Sequence, residues 1–83
     1  LEGIGNVFFS NIELMFLDVG QYRTYKLRTT QQETIGHLAG RLMEAATEDR
    51  NLGIYLYGRR LKNTQTVRDF EFESKGILLI EWE

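Results

Sequence analysis

This sequence has no cysteine, no proline and a single histidine. Without cysteine there is no disulfide framework, no thiolate zinc site and no cysteine nucleophile. The one histidine, His37, reads as a solvated residue on a polar helix face, without partners for a metal centre. Neither Ser10 nor Ser74 has a histidine–carboxylate constellation to activate it. Proline's absence means that no helix or strand is interrupted on that account. Charge of one sign is scarce too: 10 basic against 12 acidic residues leave a net charge of −2. That balance gives no electrostatic ground for binding nucleic acid or an anionic membrane. No apolar run approaches the ~20 residues that span a bilayer as a helix. Gly3 and Gly5 precede no strand–helix unit, so no phosphate loop is present. The expectation is a chain that is not an enzyme and carries no cofactor and no metal.

What remains is enough for one core. Eighty-three residues, 42% of them hydrophobic and 12% aromatic, suit one small domain. Such a chain buries roughly 60–65% of its unfolded surface. Residues 1–11 read as a leader or appended segment, with Leu1-Glu2 where a methionine would start and an apolar spot at Val7-Phe8-Phe9. The domain proper is expected over residues 12–83. The lack of cysteine fits an intracellular setting, cytoplasmic or nuclear.

Ile12–Asp18 and Tyr22–Thr29 are strand candidates joined by Val19-Gly20-Gln21, where Gly20 would supply the positive φ of a hairpin. In the second, Tyr25 and Leu27 alternate with Thr24, Lys26 and Arg28, an in/out pattern. The first strand is ambiguous. Either Ile12, Leu14 and Phe16 face the core, or Met15 and Leu17 do. Thr30-Gln31-Gln32-Glu33 has the form of a capping box, with Thr34 as a second N-cap candidate. From there Ile35, Leu38, Leu42 and Ala46 share one helical face, opposite His37, Arg41, Glu44 and Glu48. The helix is expected to fade between Glu48 and Asn51, with the next strand starting at Gly53. Strand–strand–helix–strand–short strand–strand implies an α+β fold: a mixed sheet of four or five strands on one main helix. Its last strand must run parallel to its first.

The C-terminal half carries a family likeness. Leu56-Tyr57-Gly58-Arg59-Arg60-Leu61, then Thr66-Val67-Arg68-Asp69-Phe70, resemble the strand–glycine turn–leucine element and the following acidic corner of ubiquitin and ubiquitin-like domains. Phe72 then takes the next buried position, and Leu78 and Ile80 the core of the last strand. Thr34-Ile35, Leu38 and Leu42 fall at the family's helix positions, so the resemblance covers roughly residues 12–82. It implies the β-grasp fold and a non-enzymatic protein–protein interaction domain that is part of a larger protein.

In that family the exposed sheet face carries a hydrophobic patch. The resemblance puts it here at Gly20, Tyr55, Leu79 and Glu81, with a basic neighbourhood at Arg59, Arg60 and Lys62 joined by Arg41 or Arg68. An acid in the patch would cost an apolar receptor a desolvated charge unless a basic group met it. The chain stops in strand at Ile80-Glu81-Trp82-Glu83 rather than in a glycine tail, which implies the non-conjugated type. Partners are expected to be proteins, of which a ubiquitin-pathway or proteasome receptor is one class. Two alternatives carry the same resemblance. One is a stand-alone bacterial ubiquitin-like accessory protein of a type VII secretion system, to which the stretch Thr24–Leu27 through Ile35 and Leu38 is similar. The other is a regulatory domain of a ubiquitin-pathway enzyme. Trp82, of inward parity, is expected to close the bottom of the core, the alternative being to pack against an adjoining domain.

Overall fold

Strand pairing settles the ambiguous first strand. In the computed structural model, which describes residues 12–70 and 76–83, β1 (Ile12–Asp18) buries Leu14, Phe16 and Asp18. Met15 and Leu17 turn to the opposite face and stay half-buried. β1 pairs antiparallel with β2 (Arg23–Thr29), in register Phe16 with Tyr25. It also pairs parallel with β5 (Gly76–Trp82), in register Phe16 with Leu78. β3 (Leu52–Leu56) adds antiparallel to β5, and the two-residue β4 (Arg59–Arg60) closes the far edge. The sheet order is β2-β1-β5-β3-β4. That is the expected mixed sheet, with the last strand parallel to the first. Residues 1–11, where a leader is expected, and the positions Glu71, Phe72 and Glu73 lie outside the described residues.

One helix, α1 (Ile35–Ala46), covers the inner face. Its residues Ile35, Leu38, Ala39 and Leu42 interlock with Leu14, Phe16, Ile54, Leu61, Val67, Leu78 and Ile80 in one core. The N-cap is Thr34, whose hydroxyl accepts from the His37 N–H at 3.1 Å. Thr30 is not the cap: the Glu33 N–H closes a turn on its carbonyl, at 3.2 Å. The helix also ends earlier than the sequence suggests. Thr47 adopts a left-handed φ of 52°, and the Glu48 N–H returns to the Met43 carbonyl at 3.0 Å, a Schellman-type stop. β3 therefore begins at Leu52, one residue before Gly53.

The two hairpins use different turns. Between β1 and β2 the left-handed residue is Tyr22 (φ 54°), not Gly20. The loop Val19–Tyr22 has four residues, and its start is fixed by Asp18, whose Oδ1 accepts the Gln21 N–H at 3.2 Å. A side-chain turn of this kind leaves Gly20 no special backbone task. Between β3 and β4, Tyr57 and Gly58 both have positive φ, 52° and 78°, the signature of a two-residue type I′ turn. The acidic corner forms as expected. Asp69 Oδ2 accepts the Thr66 N–H at 2.8 Å, starting a 3₁₀ turn over Val67–Asp69 whose Val67 is buried.

Trp82 packs against the core, and its indole Nε1 donates to Asp18 Oδ2 at 2.7 Å. Asp18 is only 2% exposed, so this contact ties the end of β5 to a buried carboxylate at the end of β1. Trp82→Phe keeps the ring but removes the donor. It should cost about 1–3 kcal/mol, the penalty of leaving a buried acceptor short. Urea unfolding measures it, and no change in the midpoint would show that the bond contributes nothing.

Candidate functional site

β-Pairing puts a row of side chains across the outer face of the sheet. Thr24, Leu17, Leu79, Tyr55 and Arg60 are successive register partners on β2, β1, β5, β3 and β4. Residues directly opposite share a face, so all five point away from α1. The next row is Lys26, Met15 and Ile77. The centre of this face is therefore apolar: Leu79 is 44% exposed and Ile77 59%, beside half-buried Met15, Leu17 and Tyr55. Exposed aliphatic side chains gathered like this mark an interaction surface more often than scattered ones do.

A cleft of about 440 Å³ opens at one end of that strip, lined by Val19, Gly20, Tyr55, Gly58, Leu79, Ile80 and Glu81. All four patch positions inferred from the sequence, Gly20, Tyr55, Leu79 and Glu81, come together here from three separate segments. Val19 and Gly58 were missed. Val19 is 57% exposed at the start of the first hairpin loop, and its place beside β5 follows only from the parallel β1–β5 register. Tyr55 owes its position to a glycine: a Cβ on Gly53 would lie 2.9 Å from Tyr55 Cε1 and 3.4 Å from Arg60 Cζ. The Tyr55 ring can lie along the sheet because nothing projects from Gly53.

The basic residues do not gather at this cleft. Arg60 faces the outer side, opposite Tyr55, but its Nη1 and Nη2 are held by the two Glu83 carboxylate oxygens at 2.7 and 3.0 Å. The contact raises the Arg60 guanidinium above its ordinary pKa and holds Glu83 below its own. Arg59 pairs with Leu56 and so has the opposite parity. Lys62 lies beyond the strand, its N–H bonded to Gln65 Oε1 at 2.8 Å. Arg41 is engaged elsewhere, with Glu33.

A second concavity lies between the end of β2 and the start of α1, lined by Arg28, Thr29, Thr30, Gln32, Glu33, Thr34, His37 and Arg41. Its centre is Glu33. The carboxylate accepts from Thr29 Oγ1 at 2.5 Å and from Arg41 Nη1 at 2.8 and 3.0 Å, and it pairs with His37 Nδ1 at 2.5 Å. Burial pushes the Glu33 pKa up, but the hydrogen bonds from Thr29, His37 and Arg41, with the Arg41 charge, outweigh it. The net direction is down. The Glu33 carbonyl also accepts the Val67 N–H at 3.0 Å. Glu33 thus joins β2, α1 and the 3₁₀ turn, which makes it a structural joint. Its legible signal was the four-residue spacing Glu33, His37, Arg41. No group of acidic or histidine residues among the described residues could hold a metal ion.

The strand order, with α1 covering the inner face, is that of the ubiquitin-like β-grasp fold. Solved structures support that class: 283 chains match, so the architecture is a populated one and not peculiar to this sequence. One, described as "Molecular Mimicry of SUMO promotes DNA repair", matches with a TM-score of 0.76 over 86% of this chain and 90% of its own, at 15% identity. SUMO is itself a ubiquitin-like β-grasp protein. No family model and no curated protein matches the chain. At such identity the likeness establishes the fold, and the surface must be argued from its own residues.

Proposed function

We propose that this domain is a protein-interaction module that docks a partner segment across its outer sheet face, in the cleft bounded by Val19, Gly20, Tyr55, Gly58, Leu79 and Glu81. One observation carries the reading: residues from three distant segments converge on a single partly apolar cleft, at the end of an exposed aliphatic strip. Tyr55 is amphipathic and Leu79 aliphatic, a pair suited to a small hot spot. The structural neighbour is described as a SUMO mimic. A mimic works by presenting a surface to something that recognises it, and the same mode is taken for this domain, with no catalytic role.

An amphipathic helix suits such a face, laying aliphatic side chains at i and i+4 into the groove. Leu79→Asp should weaken binding of a synthetic amphipathic leucine-faced helical peptide at least about tenfold, because the new charge would be desolvated without a partner. Leu79 is substantially exposed, so the unfolding midpoint should change little. Fluorescence titration of labelled peptide measures the first and urea unfolding the second. Unchanged affinity in a folded variant would refute the cleft as the docking site.

A further inference from the structure

The cleft carries one charge that no described residue compensates. Glu81 is exposed and lines the cleft, and its carboxylate makes no hydrogen bond or ion pair among the described residues. Two cations border its surroundings. Arg60 packs by Gly53, the register partner of Glu81, yet its guanidinium is committed to both oxygens of Glu83. Arg50 lines the adjoining hollow, which Glu81 also borders. Its Nε is committed to Glu48 at 2.8 Å, and its Cζ lies 5.9 Å from the centroid of the Trp82 ring. Arg60, Glu83 and Glu81 together leave one net negative charge at the edge of an otherwise apolar cleft.

From this geometry we infer that the cleft selects a partner segment presenting a lysine or arginine beside an aliphatic residue. The inference rests on the docking reading above and names the partner's chemistry. The aliphatic residue sits against Leu79 and Val19. The cation reaches Glu81, and the Tyr55 ring supplies an aromatic wall that a cation can approach at low cost. A purely apolar helix would have to desolvate Glu81 with nothing in exchange, so the acid works against it while favouring the basic one. Glu83 takes part indirectly. By holding Arg60, it keeps the neighbouring cation from filling the place the partner's cation needs.

Three synthetic amphipathic helical peptides that differ at one position, lysine, glutamine or glutamate, test this by fluorescence titration against the wild-type domain and its variants. The lysine peptide should bind about fivefold more tightly than the glutamine one, the size a solvent-accessible ion pair allows, and the glutamate peptide more weakly still. The lysine advantage should shrink in 1 M salt, where screening acts within about 3 Å. Glu81→Gln should abolish it, and Glu81→Lys should reverse the order of lysine and glutamate peptides. Glu83→Gln should reduce it by freeing Arg60 to turn to Glu81. Equal affinities for all three peptides, lowered together by Leu79→Asp, would overturn the charge selection and leave the docking reading standing. No binding of any peptide at millimolar concentration would overturn both.

Discussion

Phe16→Ala should lower the unfolding free energy by about 3–5 kcal/mol, against about 1 kcal/mol or less for Leu17→Ala. Phe16 is fully buried on the inner face of β1, an interior strand, between its partners Tyr25 and Leu78. Truncating it opens a cavity that α1 on one side and the paired strands on the other cannot collapse into. Leu17 is its sequence neighbour but points outward, half-buried in the row with Leu79 and Tyr55. For a domain of this size, total stability is on the order of 5–15 kcal/mol, so the first substitution removes much of it. Comparable losses for the two would mean that β1 has slipped by one residue, since a one-residue slip exchanges the two faces.

Glu33→Gln is the second substitution with a large expected effect, about 2–3 kcal/mol at neutral pH. The carboxylate is nearly enclosed and serves Thr29, His37 and Arg41 at once. The amide keeps the shape, but it offers only one acceptor oxygen and no charge to Arg41, whose other contact there is the Arg28 carbonyl at 3.0 Å. The pH dependence follows from the lowered pKa of Glu33 in the folded state. A carboxylate easier to ionise when folded contributes stability that is fully present above its unfolded pKa of about 4.3. That contribution is lost as pH falls through the lower, folded value. The wild-type advantage over Glu33→Gln should therefore narrow on acidification below about pH 4. Urea midpoints across that range measure it. A gap that failed to narrow below about pH 4 would contradict the assignment.

Element order was legible because it rests on local pattern, alternation in β2, the period of α1 and the turn at Gly58, and the parallel closure of β5 on β1 follows from that order. The orientation of β1 was not. Its residues are apolar in both parities because both faces of the sheet centre are apolar, Leu14 and Phe16 toward the core and Met15 and Leu17 under the exposed strip. The feature that hid the register is the one that marks the surface. Spacing assigns to Gly20 a turn that Asp18 and Tyr22 make, since a side-chain hydrogen bond to the loop backbone leaves no trace in residue spacing. Glu33 looked like half of a capping box. Its partners Thr29 and Val67 lie on other elements, and only the fold brings them to it. The cleft positions were legible through the family resemblance, whereas the commitment of Arg60 to Glu83 needed three-dimensional placement.

The outer sheet face is the proposed docking surface. Amide chemical-shift mapping of the isotope-labelled domain, titrated with the lysine-bearing helical peptide, tests it most directly. The predicted result is progressive movement at Val19, Gly20, Tyr55, Gly58, Leu79 and Glu81, with Thr34, His37 and Arg41 unmoved. Shifts confined to the Glu33 side of the molecule, with the cleft amides still, would contradict it.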